Sequence, residues 1–261
     1  MNILVCIRRV PDPAENEIRL NRSGTDIERD DLVYSINEWD NYAVEEALQI
    51  TARVGGEVTV VTVGGDEDEE VLRRQLAMGA KHAALLSDDA FAATDAMGIA
   101  SILKAYAQQN SFDLVLTGVQ AEGGGAQVGG MLAALLDWPF ASLVTAVEVV
   151  ADKKLKVARE IAGGNKEVSE IDLPCVLSIQ TGINEPRYVG MRGVRQVASI
   201  EIPTLDAAHL RIDSNCLTAK VKHAGYFSPV AGVGAEMLSG DREHILDELV
   251  ERLKGRGGIT A

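Results

Sequence analysis

No apolar run in the 261 residues approaches the roughly 18–20 needed for a helix to cross a bilayer. The longest, such as Val58–Val63, are the length of a strand. Cysteine is scarce: Cys6, Cys175 and Cys216 lie far apart with no C-x-x-C pair. That spacing argues against a disulfide framework or an iron–sulfur site and suits buried structural thiols. Positive charge is short as well, 25 Lys and Arg against 39 Asp and Glu, a formal net charge of −14. Such a surface repels phosphate backbones, so general nucleic-acid binding is not expected. A single mononucleotide is not excluded, because backbone amides hold a phosphate without a basic patch.

Catalytic patterns are missing too. The four histidines, His82, His209, His223 and His244, are scattered. There is no Gly-x-Ser-x-Gly elbow, no His-Glu-x-x-His and no paired carboxylates in a supporting context. At 4% of the chain, aromatic residues are too thin for a cofactor box. A basic leader with a long apolar segment and a small-residue cleavage site is not seen, and Met1–Ile7 runs straight into apolar residues. The segment reads as the first buried strand of a cytoplasmic protein without membrane insertion.

Apolar residues make up 46% of the sequence, enough for a sizeable core. They alternate between two periods. Ile3–Ile7, Val58–Val63, Ala83–Leu86 and Leu114–Leu116 are short continuous apolar runs, as expected of strands covered on both faces. Between them, helical spacing recurs over about Asp40–Arg53, a stretch after Gly64-Gly65 with an acidic first turn (Asp66–Glu70), Thr94–Gln109 and Gln127–Leu136. Residues 14–35 are polar and irregular, with turn chemistry at Asn21–Gly24. Strands alternating with helices predict a doubly wound parallel sheet, a three-layer α/β/α fold.

After Trp138-Pro139 the pattern changes. Ala146–Val150, Leu155–Glu160 and Val168–Ile171 read as a small antiparallel section, and Pro174–Ile179 as one more buried strand. From Asn184 to about Gly240 regular signals are few, and Asp241–Lys254 reads as a last helix ended by Gly255. Long irregular tracts are unusual within a compact domain, so the tract is expected to be an arm lying on another protein.

The densest local signal is the turn Gly118–Gly130, which follows a strand and opens a helix. Ligands of open parallel sheets bind at that edge, and amides at a helix start supply donors and partial positive charge. The turn is neither the dinucleotide fingerprint nor a P-loop. Its bland reading is a flexible turn with close helix–strand packing. Two further turns, Arg8–Asp12 and Asn37–Asp40, belong to the same edge and raise the case for binding.

Taken in order, Cys6–Asp12, Asn37–Ala47, Ala77–Ala80, Leu136–Pro139, Val157–Gly164 and Leu173-Pro174 through Asn184–Tyr188 resemble the beta subunit of electron-transfer flavoproteins. The likeness runs over nearly the whole chain. It implies a heterodimer with a larger alpha subunit that carries the electron-transferring FAD. The beta subunit of this family binds AMP in its own crevice, or a second FAD in bifurcating members that use NADH. By the resemblance, nucleotide contacts fall on Cys6, on Asn37, Glu38, Trp39 and Asp40, on Val63, and on Ala121, Glu122, Gly123, Gly124, Gly125, Ala126, Gln127, Val128, Gly129 and Gly130. Glu160 matches a position that pairs with an arginine of the alpha subunit. The segment from Tyr188 to Ala198 matches a recognition loop that docks an acyl-CoA-type or other dehydrogenase, with Met191 as its apolar anchor. Electrons then pass to a membrane-bound or soluble acceptor. These implications divide the chain into a nucleotide-binding domain over 1–185 and a recognition loop and C-terminal arm over 186–261.

The sequence departs from the family's pattern at two places. Ala162 stands where an Asp usually precedes the paired glycines, and Glu122–Ala126 replaces an Asp-bearing, longer stretch. The second departure leaves AMP and FAD open. A stand-alone adenine-nucleotide-binding or stress-type protein would account for residues 1–145 only. An ATP-cleaving ligase of related fold would want a Ser-Gly-Gly-x-Asp loop where Arg8–Pro11 stands.

Overall fold

The computed structural model describes residues 1–121, 125–230, 232 and 234–258, and the chain divides into two compact units. The first, residues 1–19 and 27–224, is built on a nine-stranded sheet. Its strands are β1 (Asn2–Cys6), β4 (Glu57–Val63), β5 (His82–Leu86), β6 (Leu114–Gly118), β7 (Phe140–Ala151), β8 (Lys154–Ile161), β9 (Asn165–Asp172), β10 (Cys175–Ile179) and β11 (Thr204–Leu205). Their order across the sheet is β11-β5-β4-β1-β6-β10-β7-β8-β9. A separate antiparallel pair, β2 (Arg9–Pro11) and β3 (Tyr34–Ile36), brackets the polar excursion.

Alternation along the strands builds a core on each face. In β1, Ile3 and Val5 face the helices α1 (Glu38–Val54) and α2 (Glu69–Met78). Leu4 and Cys6 face α3 (Ala96–Gln108) and α4 (Val128–Leu136). The apolar stripe of α1, from Ala43 through Ile50, and that of α3, from Ala100 through Ala107, cover opposite sides of the same strands. Each fully buried Leu in this sandwich, such as Leu116 or Leu177, contributes about 1.5–3 kcal/mol. Among the described residues no helix is long and apolar enough to cross a membrane.

The doubly wound sheet expected from sequence is present, with several boundaries corrected. The strand expected at Ala146–Val150 starts at Phe140, because its first half pairs parallel with β10 and only its second half pairs antiparallel with β8. The polar ends of β8 and β9 are held by backbone pairing from Lys154↔Asp172 to Ile161↔Asn165, which leaves no apolar pattern to read. The tract after Asn184 contains α5 (Met191–Gln196), β11 beside β5, and α6 (Ala207–Leu210). Residues 186–224 group with the sheet in the first unit.

The second unit comprises 20–26 and 225–261. In it the amide of Tyr226 donates to Gly24 O at 2.7 Å. Its helix α7 (Arg242–Gly255) starts at Asp241, whose Oδ1 accepts from the His244 amide at 2.9 Å. Arg252 pairs with Glu236 and, one turn back, with Glu248.

Candidate functional site

After β1 the chain leads to β4 on one side, and β6 lies on the other, so the sheet's direction of winding reverses between β1 and β6. Crevices outside the carboxyl ends of strands at such a point are where open α/β sheets bind ligands. Here Cys6, Val63 and Gly118 end three neighbouring strands.

One carboxylate ties the end of β6 to the turn that leaves β1. Asp40, in the first turn of α1, is 6% exposed. Its Oδ1 accepts from the Gly118 amide at 2.9 Å and its Oδ2 from the Arg8 amide at 2.8 Å. Asn37, fully buried before α1, donates from Nδ2 to Gln120 O at 2.8 Å, and its own amide donates to Arg8 O at 2.8 Å. The Asn37 side chain therefore does not cap its helix; it reaches into the turn after β6. Its Oδ1 is buried with no partner among the described residues. Burial pushes the Asp40 carboxyl up to about 7, against the opposing pull of the Asn37 side chain, the Gly118 and Arg8 amides and the Arg8 charge. Burial and the neighbouring Asp40 also raise the Cys6 thiol, so it is protonated and inert at neutral pH.

Glycine is required where these elements touch. A Cβ on Gly118 would stand 2.4 Å from Asp40 Oδ1 and 2.6 Å from Trp39 Cβ. A Cβ on Gly129 would stand 2.3 Å from Ser178 Oγ, which is hydrogen-bonded to Thr117 Oγ1 at 2.8 Å. The small residue lets the start of α4 press onto β6 and β10. Gln127 gives α4 no side-chain cap, so among the described residues its own N-cap side chain does not receive the first amides of the helix.

Beside this junction lies an open cleft of ≈ 430 Å³ lined by Trp39, Val119, Gln120, Ala126, Phe140, Ser142, Leu143, Ser178, Gln180 and Thr181. Leu143 lies in the left-handed region at φ 57° where the pairing of β7 with β10 shifts register. Trp39 Nε1 donates to Gln180 Oε1 at 3.0 Å, and Gln180 Nε2 donates to Glu160 Oε2 at 3.4 Å.

Of the nucleotide-contact residues expected from sequence, Trp39 and Ala126 line this cleft, and Asn37 and Asp40 form its buried support. Glu38 is exposed at the start of α1 and also borders a smaller hollow with Val10, Pro13 and Ser35. Cys6 is buried and Val63 half-buried at their strand ends, while Gly125 and Gln127 are exposed in the turn. Val128, Gly129 and Gly130 form the first turn of α4, and Ala121 is half-buried before the turn. Glu122, Gly123 and Gly124 lie outside the described residues. Glu160 is exposed at the end of β8; Tyr188 and Met191 are exposed before and at the start of α5. Sequence reasoning missed Gln180, Ser178 and Phe140.

A family model described as the electron transfer flavoprotein domain matches residues 25–210. The chain belongs to the electron-transfer flavoprotein beta-subunit family. It is 37% identical over 261 residues to the electron transfer flavoprotein subunit beta of Thermoanaerobacterium thermosaccharolyticum, covering 98% of this chain and 99% of the relative. The subunit beta of Methylophilus methylotrophus is 36% identical over 219 residues, 82% of this chain and 83% of that one. A third relative, the caffeyl-CoA reductase-Etf complex subunit CarD of Acetobacterium woodii, is 35% identical over 262 residues, 97% and 98% of the two chains. Family membership makes electron transfer involving flavin the setting in which the Asp40 junction is to be understood.

Proposed function

We propose that this chain is the beta subunit of a heterodimeric electron carrier, with an adenine nucleotide held in the crevice over β1, β4 and β6. The observation that carries the reading is the Asp40 junction, which fastens the turns after β1 and β6 to the start of α1 at the sheet's carboxyl edge. The residues present fit a nucleotide. The amides of Val128, Gly129 and Gly130 would receive a phosphate without a basic side chain. Asn37 Oδ1 is a buried acceptor left over for a donor on the base. Cys6 and Val63 would bound the site through strand ends rather than reactive groups.

This chain makes and breaks no bond in the reading. FAD held by a larger alpha subunit supplies the redox chemistry when bound. The beta subunit orients that partner through Glu160, steadied by Gln180, and through its C-terminal arm. Phe227, Val230 and Met237 of the second unit are 85%, 96% and 86% exposed, an apolar surface that suits cover by a partner. The segment from Tyr188 to Ala198 meets an acyl-CoA-type or other dehydrogenase, and electrons leave to a quinone-linked or soluble acceptor from a cytoplasmic complex.

Co-expression with the alpha subunit should give a yellow one-to-one complex, whose acid extract identifies the nucleotide. One FAD with one AMP supports a single-flavin shuttle, and two FAD a two-flavin, bifurcating version. A colourless monomer indifferent to alpha, with no adenine nucleotide, sinks the reading. Met191→Glu places a charge on the exposed anchor. It should raise the KM for the dehydrogenase at least tenfold and leave the heterodimer and its flavin content intact.

A further inference from the structure

The docking segment is gripped at both ends by side chains that do not belong to it. At its start the Arg187 guanidinium lies against Glu45 of α1, with Nε 2.8 Å from Oε2 and Nη2 3.0 Å from Oε1. The Arg187 amide adds a third bond to Oε2 at 3.2 Å. Glu45 is 4% exposed, so this is a two-pronged, charge-assisted contact anchored in the body of the protein. Burial alone would raise the Glu45 carboxyl, but its bonds from Arg187 and Gln49 outweigh that and hold it below the ordinary range. Just upstream, Asn184 Nδ2 donates to Glu46 Oε2 at 3.1 Å and Tyr42 O at 3.2 Å.

At the far end, Arg73 of α2 reaches across 124 to 127 positions of sequence. Its Nη1 donates to the carbonyls of Val197, Ala198 and Ile200 at 2.9, 3.0 and 3.2 Å. Glu69, one turn earlier on α2, holds the other prong. Those carbonyls lie at the end of α5, the negative end of a helix, where a cation is favoured. A helix of six residues is not stable in water alone, so α5 depends on such contacts. Between the two grips Val189 and Val197 pack on the core, and Tyr188 and Met191 stand 89% and 70% exposed.

We propose that Arg73 and the Glu45–Arg187 pair are positioning residues that hold the docking segment in its binding shape before a partner arrives. The proposal rests on the docking role given to this segment above. A loop ordered in advance loses less freedom on association, so its partner binds more tightly. Neither Glu45 nor Arg73 has to touch the dehydrogenase for this effect.

Hydrogen exchange on the heterodimer with alpha tests the proposal. In Arg73→Ala and in Glu45→Gln, amides of residues 188–200 should exchange at least tenfold faster, with those of β1, β4 and β6 unchanged. Arg73→Lys, which keeps a cation near the carbonyls, should fall between. With whichever of a panel of acyl-CoA dehydrogenases reduces the wild-type heterodimer fastest, the same variants should raise KM about tenfold at unchanged kcat. Met191→Glu should raise KM without altering exchange. Unchanged exchange in the segment, or equal acceleration throughout the sheet, would overturn the positioning role. If exchange responds as expected but neither the grip variants nor Met191→Glu alters KM, the docking reading itself falls, and the positioning role falls with it.

Discussion

Gly118→Ala should lower the stability of the chain by about 3–5 kcal/mol. Overpacking a close contact costs about 1–3 kcal/mol, and leaving the Gly118 amide without its acceptor about 1–3 kcal/mol. Both apply at this position. The new Cβ would stand 2.6 Å from Trp39 Cβ and 2.9 Å from the Asp40 amide nitrogen, so backbone has to move rather than the tip of a flexible side chain. That movement pulls the Gly118 amide from Asp40 Oδ1 and opens the junction. Thermal melting should fall by roughly 10 °C, at about 2–4 °C per kcal/mol for a domain of this size. Gly130→Ala is the matched control: the nearest atoms to its Cβ would be those of the Phe140 ring, 3.4 Å away. Inside α4 an Ala gains up to about 1 kcal/mol in helix propensity, so that variant should melt close to the wild type. Equal melting of the two variants would mean that β6 and α1 do not approach as closely as this geometry requires.

The contrast between these two glycines shows what the sequence carried and what it did not. Both belong to one glycine-rich stretch, and its place between β6 and α4 was legible from the apolar run Leu114–Leu116 and the helical spacing after it. That Gly118 is irreplaceable was not, because the reason lies in α1, 78 positions away. The central strands were legible because burial on both faces makes them continuously apolar. Phe140–Thr145 was missed because it becomes a strand only by pairing with β10, and β11 because two residues carry no periodicity. Asn37 and Asp40 were singled out from sequence by their place before and within a helix start. Gln180, Ser178 and the Arg187–Glu45 contact required knowing that β10 lies beside β6 and that α1 passes under residues 184–187. The Asn184–Tyr188 run was noticed through family likeness alone, since nothing in its composition points to the buried carboxylates it meets.

The second large effect is one of pH. Asp40 titrates near 7 in the folded chain against an ordinary 3.8, because burial outweighs the donors around it. Between those two values the folded chain holds a proton that the unfolded chain has released. Stability from this group is therefore fully present below about pH 4, declines as pH rises, and is gone above about 7. At about 1.4 kcal/mol per unit the loss is on the order of 4 kcal/mol. Glu46 and Asp68, also raised chiefly by burial, slope the same way, and Glu45 slopes the other way, so the Asp40 part has to be isolated by difference. Asp40→Asn does this. Asn cannot ionise, and its single carbonyl oxygen satisfies only one of the Gly118 and Arg8 amides, a cost of about 1–3 kcal/mol at every pH. Denaturant unfolding at pH 4.5 and pH 8 should show the variant's deficit relative to wild type shrinking by a few kcal/mol at the higher pH, or reversing. A deficit that stays constant across that range would mean that Asp40 is ionised throughout. The Asn37 side chain, the two amides and the Arg8 guanidinium would then outweigh burial, and the junction would be a permanent ion lock instead of one loosened by losing its proton.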